Sequence, residues 1–257
     1  MTKENGILVW REQEDWNKTI RLLLAELAQP LRKAIEENPI EYFYYDAQWC
    51  EEQGIQLRDG KELPGFQEIL AGITQTYPKI RLFHACRTDD IDSYLINGLL
   101  PLATDRQIQK AREIFLSDRS PLVKEEDINL VAQDLANEHR GGKIYLSLDD
   151  RILIEHDRFY LNYGCEYLAV IASRLPGIEP KDCLEYLRTI GRPTIIVCDI
   201  PINWIEKQRM FNLVEDMVEW TIKYPYSPDD DQTQLSRSYT FNVVIPPEFI
   251  TTYYHPM

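Results

Sequence analysis

Histidine and cysteine are scarce in this chain: four and five residues in 257. No HExxH run and no Cys/His spacing that would converge on one ion occurs, so no metal site is expected. The five cysteines, Cys50, Cys86, Cys165, Cys183 and Cys198, are an odd set without a CxxC pair. That excludes a disulfide framework and leaves reduced, mostly buried thiols. Nowhere do about eighteen apolar residues run uninterrupted, and Met1–Leu8 has no basic start, apolar run or small-residue cleavage site. Membrane insertion and export are therefore not expected, and a cytoplasmic protein is. Glycine fingerprints are missing as well. Neither GxGxxG nor GxxxxGK[ST] is present, which removes the Rossmann and Walker modes of nucleotide binding. No glycine-flanked serine elbow or cysteine signature accompanies Ser147, Cys86, His84, His139, His156 or His255, so nucleophile–base hydrolysis has no motif to rest on. There is no internal repeat.

Basic residues are also in short supply, 28 against 42 acidic ones, for a net charge of -14. The mean field repels phosphate backbones, and general nucleic-acid binding is disfavoured. What the chain does have is 44% hydrophobic residues, enough to fill a core for one large domain or two small ones.

From Trp16 to Ile35, apolar residues at Ile20, Leu23, Leu24, Leu27, Leu31 and Ile35 recur at helical spacing, with a kink or break expected at Pro30. The aromatic cluster Tyr42, Phe43, Tyr44, Tyr45 and Trp49 reads as core packing. Turn signals at Asp59-Gly60 and Pro64-Gly65 precede a helix over Phe66–Thr76, which completes an N-terminal helical layer over residues 1–78. Lys79 to Arg87 alternates like a strand. Thr88 is expected to cap a helix from Asp89 to Asn97 that stops at Gly98. Residues 105–139 hold two helical stretches whose charge-rich faces read as a solvated insertion. Gly141-Gly142 breaks the chain before a short strand at Lys143–Leu148, followed by a helix from Asp150 to Asn162 ended by Gly164. Glu166–Ser173, Pro193–Ile200 and Tyr239–Ile245 read as further strands, and Trp204–Tyr224 as a helix. Asp229-Asp230-Asp231 lies in an exposed loop rather than a metal site. Strands mixed with segregated helices give an α+β class.

The stretch Leu82-Phe83-His84-Ala85-Cys86-Arg87-Thr88, running on to Asn97-Gly98-Leu99-Leu100-Pro101, resembles the opening of ADP-ribosyltransferase-fold proteins, in which a YHGT-like strand precedes a helix and a GL.P turn. Lys143-Ile144-Tyr145-Leu146-Ser147 is similar to the same family's vYls strand. The resemblance implies a split mixed β-sheet over residues 79–257, with the 105–139 helices as an insertion. It implies NAD as co-substrate, His84 on the nicotinamide ribose and Tyr145 stacked on the nicotinamide. Ser147 would be a further cofactor contact. The third residue of the His-Tyr-acid class is not on the late strand, which reads Thr240-Phe241-Asn242-Val243-Val244-Ile245 without an acid. Glu166 is the first candidate, at a strand entrance, ahead of Glu179, Asn242 and Glu248. Arg87, three residues past His84, falls on the opposite strand face and reaches a pyrophosphate only if the chain bends at Thr88.

By this resemblance the expected activity is ADP-ribosyl transfer to a macromolecule, of toxin, effector or phage-defence type. The acidic balance favours a protein target over nucleic acid, and an antitoxin or inhibitor is the partner expected of such a toxin. The alternatives are a non-catalytic interaction protein that keeps the fold, and an NAD glycohydrolase.

Overall fold

The computed structural model describes residues 6–37, 65–117, 123–135, 141–156, 158–176, 179–223 and 238–256. The aromatic cluster at 42–49, Cys50, the Asp59-Gly60 turn, His139 and the Asp229–Asp231 triplet lie outside these residues. Nine α-helices are described: α1 (Lys18–Glu37), α2 (Phe66–Thr76), α3 (Ile91–Asn97), α4 (Thr104–Phe115), α5 (Glu125–Leu135), α6 (Phe159–Tyr163), α7 (Glu166–Arg174), α8 (Pro180–Leu187) and α9 (Lys207–Lys223). The six strands are β1 (Ile7–Leu8), β2 (Lys79–Thr88), β3 (Ile144–Ser147), β4 (Arg192–Pro201), β5 (Ser238–Phe241) and β6 (Ile250–Tyr254). The protein is α+β, with a mostly antiparallel sheet in the order β5-β3-β2-β4-β6 and β1 beside β2.

The chain divides into two compact units, Met1–Ile80 with Ile200–Leu235, and Arg81–Asp199 with Ser236–Met257. In the first, α1 buries Ile20, Leu24 and Ala28, one residue per turn, as an amphipathic helix must. Ile69 and Ile73 of α2 and Leu213, Val214 and Met217 of α9 are fully buried in the same unit. Trp16 stands between Trp10 and Trp220 with ring centroids 5.4 and 5.7 Å away, and its indole N–H donates to the Val9 carbonyl at 3.0 Å. The helix assignment of α1 continues past Pro30, so no break occurs there.

In the second unit, β2 forms where its sequence predicts a strand, but it buries Leu82 with Phe83 and Ala85 with Cys86 in succession, so both of its faces are packed rather than alternating. Phe83 and Ala85 join Leu153, Leu161, Ile195 and Val197 in one apolar cluster. Arg81 makes a two-pronged pair with the buried Asp199 carboxylate at 2.8 and 2.9 Å, which offsets the cost of burying that charge. A second cluster is wholly helical, formed by α4, α5, α7 and α8 around Phe115, Ile128, Val131, Ile171 and Leu187.

That helical cluster overturns two expectations. The 105–139 stretches are core elements, not a solvated insertion. Ala111, Ile114 and Phe115 of α4 and Ile128, Val131, Ala132 and Leu135 of α5 are buried at helical spacing, while the charges occupy the opposite faces. Glu166–Ser173 is a helix rather than a strand, with Tyr167, Leu168, Ala169, Ile171 and Ala172 buried. A short apolar run buried on most sides has no period to tell the two apart. Four smaller departures follow local chemistry. The helix after β2 is capped by Asp90, whose carboxylate accepts from Ser93 N–H at 3.1 Å, while Thr88 stays in the strand. The expected 150–162 helix is a π-helical turn, Ile152–His156, followed by α6. The last predicted strand ends at Phe241, because Val243 and Val244 turn to solvent and Ile245 bridges Leu99 instead. Helix α8 and strand β6 carry no clear sequence signal and were not expected.

Candidate functional site

β2 and β3 are antiparallel with one register pair, Phe83 opposite Ser147. Next to it the His84 imidazole meets the Tyr145 carbonyl, with Nδ1 3.0 Å from the oxygen. A neutral ring making this bond carries its proton on Nδ1 and leaves Nε2 as an acceptor. Burial pushes the His84 pKa below the ordinary imidazole range, more than the Tyr145 carbonyl raises it. The imidazole is therefore neutral at pH 7.

Around this point opens a cleft of about 630 Å³, lined by His84 and Arg87 of β2, Tyr145 and Ser147 of β3, Glu166 of α7 and Ser238 of β5. Strand alternation explains the polar side of β3. Ile144 and Leu146 are buried, while the Tyr145 ring is 43% exposed. Ser147 is held in place by its own turn, its hydroxyl donating to the Asp149 carbonyl at 2.8 Å. Asp149 is in turn clamped by Arg151, with contacts from 2.5 to 3.0 Å.

Arg87 is fastened to the cleft wall. Its guanidinium donates to the carbonyls of Ile190, Leu161 and Gly191 at 2.9, 2.8 and 2.7 Å. The period-2 argument that set it on the face away from His84 agrees with this, since Leu161 belongs to the cluster on Phe83 and Ala85. Glu166 occupies the first turn of α7, where the helix N-terminus favours a carboxylate. Glu166 lines the cleft, and two residues before it Gly164, at φ +79°, packs against Arg87, where an added Cβ would lie 3.3 Å from the Arg87 Cβ.

The structure thus brings His84, Arg87, Tyr145, Ser147 and Glu166 to one cleft. The alternatives for the third residue are placed otherwise. Glu179 is the exposed residue preceding α8, Asn242 is exposed beyond the end of β5, and Glu248 is exposed in the Pro247–Phe249 turn. Among the described lining residues the carboxylate is Glu166.

Several cleft residues were missed by sequence reasoning. Ser238, paired with Ser147, heads β5 where an acid was sought. Tyr94 of α3 hydrogen-bonds Cys86, and burial drives the Tyr94 hydroxyl well above its ordinary range and the Cys86 thiol up to about 11. Burial also raises Cys165. Lys110 and Gln107 reach the cleft from α4, the helix read as solvated. Lys143 could have been found, because it lies two residues before Tyr145 on the same face of the chain.

Among the described residues no group of three or more His, Cys, Asp or Glu side chains could hold a metal ion, and no helix is long and apolar enough to cross a membrane. Comparison with family models, curated proteins and solved structures finds no match to this chain.

Proposed function

We propose that this chain is an NAD-dependent ADP-ribosyltransferase with an ADP-ribosyltransferase-like split sheet, acting on a macromolecule. One observation carries the reading: His84, Tyr145 and Glu166, supplied by β2, β3 and α7, line the same cleft. The chemistry of glycosidic cleavage asks for those three kinds of group. The half-exposed Tyr145 ring offers a stacking platform for nicotinamide, and His84 Nε2 accepts a hydrogen bond from a ribose hydroxyl. As the bond between the ribose anomeric carbon and nicotinamide breaks, nicotinamide leaves with the electron pair. The Glu166 carboxylate then faces the positive charge developing on the ribose. An acceptor nucleophile closes on that carbon and releases its proton.

A protein acceptor fits the acidic chain better than nucleic acid, and an inhibitor protein would be the natural partner of a toxin of this type. Ser238 at the head of β5, in place of an acid, favours a second reading in which the cleft binds NAD without turnover. Water as acceptor would make the protein an NAD glycohydrolase.

The test is incubation with NAD labelled in the adenylate half, alone and with cell lysate. Transferase action moves label onto a macromolecule and releases nicotinamide. Label only in free ADP-ribose identifies a glycohydrolase, and binding without nicotinamide release identifies the inactive form. His84→Ala and Tyr145→Ala each abolish turnover in the transferase reading; unchanged turnover in both removes this site.

A further inference from the structure

The chain carries a net charge of -14, yet the ionised groups on the cleft run the other way. Lys110, Lys143 and Arg87 line it with Glu166, while burial keeps the thiol of Cys86 and the hydroxyl of Tyr94 protonated at neutral pH. Three cations stand over one carboxylate among the described lining residues. Arg87 has already spent a donor on each of three backbone carbonyls. The two lysines have not. Neither has an ion pair among the described residues, and both side chains are exposed at the cleft.

The backbone also ties the segments that carry them together. The Leu102 N–H donates to the Lys143 carbonyl at 3.2 Å, and the Gly142 N–H donates to the Leu102 carbonyl at 2.7 Å. This fastens the start of β3 to the segment that leads, two residues later, into α4, the helix bearing Lys110. The Lys110 charge is close enough to Cys86 and Cys165 to favour their thiolates, which puts its ammonium over the cleft wall. Lys143 lies two residues from Tyr145, about 6.6 Å along a strand, which is the scale of one ribosyl-phosphate step.

We propose that Lys110 and Lys143 form a diphosphate-binding subsite of this cleft and that its ligand is a nucleoside diphosphate or a nucleotide containing one. The choice of an NAD-like ligand rests on the transferase reading; the lysine pair itself requires only the diphosphate. Two strongly hydrated point charges on flexible stems suit a diphosphate, whose oxygens they meet without fixed geometry.

The deciding experiment titrates the full chain with ADP and with adenosine at low and high salt. Wild type, Lys110→Gln, Lys143→Gln and the two Lys→Arg variants are compared, and nicotinamide release from NAD is followed in parallel with cell lysate present to supply an acceptor. ADP should bind at least about tenfold more tightly than adenosine, with the advantage shrinking as salt rises. Each Gln variant should lose about tenfold in ADP affinity and nothing in adenosine affinity, while the Arg variants keep both. ADP no tighter than adenosine, or Gln variants that bind ADP like wild type, overturns the subsite. Lysine-dependent ADP binding without nicotinamide release retires the transferase reading and leaves the subsite standing. Normal nicotinamide release with an unchanged KM for NAD in both Gln variants retires the subsite and leaves the transferase.

Discussion

The cleft has two unlike sides. Its strand side, β2 and β3, sinks Leu82, Phe83, Ala85, Cys86, Ile144 and Leu146 into the core and leaves His84 half-buried and Tyr145 exposed at the opening. Its helical side, α4 and α7, belongs to a cluster packed from four helices, and each helix sends two residues to the cleft, Gln107 and Lys110 from α4 and Glu166 and Tyr167 from α7. A strand can devote every second residue to chemistry without weakening its core face. A helix packed into a cluster must keep its apolar face for the core, and contributes from its ends or from its wet face.

The comparison breaks if damage to the helical side spares stability. Phe115→Ala removes a fully buried ring from the helical cluster and should cost about 3–5 kcal/mol, read as the shift in a urea midpoint. A loss below about 1 kcal/mol would mean the cluster is loosely packed. Next in size is Gly98→Ala. Gly98 ends α3 at φ +75°, and an added Cβ would sit 2.1 Å from the Ile245 carbonyl oxygen, so the Leu99–Ile245 bridge must give way. About 2–3 kcal/mol is expected, from the strained backbone and the displaced strand end together.

The strand side should answer in the opposite way. Tyr145→Ala touches a half-exposed ring and should cost under about 1 kcal/mol in thermal unfolding. On the proposed function it nonetheless lowers NAD turnover by at least about 100-fold, because the stacking platform is gone. The reverse pattern, a large stability loss with turnover kept, would make Tyr145 a packing residue.

The smallest effect is a pH slope. His84 has a folded pKa depressed below its unfolded value of about 6.5, so the unfolded chain binds the extra proton first. Its contribution to stability is fully present above about pH 6.5 and is lost as pH falls through the folded pKa. Subtracting the stability profile of His84→Gln from that of wild type should isolate this fall on the acid side. A difference flat from pH 7 to pH 4 would show a solvated imidazole.

The same contrast explains how far the sequence could be read. The strand-side elements β2 and β3 are legible from their strand-like composition and the turn signal at Gly141-Gly142, whereas His84 and Tyr145 become candidates only through the family resemblance. The helical side was misread twice for physical reasons. In α4 and α5 abundant charge hid an apolar stripe at i, i+3 and i+4. In α7 dense apolar content erased the polar stripe that would have marked a helix. Glu166 was selected as a strand residue and reaches the cleft from a helix start, a placement set by tertiary packing that no local pattern foretells. Lys110 was invisible for the same reason: the helix that carries it is placed by the cluster on its far side.

The cysteines described above have a practical corollary. With its thiol held at about 11, Cys86 is about one part in ten thousand thiolate at pH 7, and Cys198, driven up to about 12 by burial, is rarer still. Alkylating reagents attack thiolates, so both sulfurs are silent while their surroundings stay closed and become ordinary reactive thiols once exposed. The chain thus contains two clocks for its own opening, one beside the cleft at Cys86 and one on β4 at Cys198, and the difference between their labelling rates would time how often each neighbourhood comes apart under native conditions.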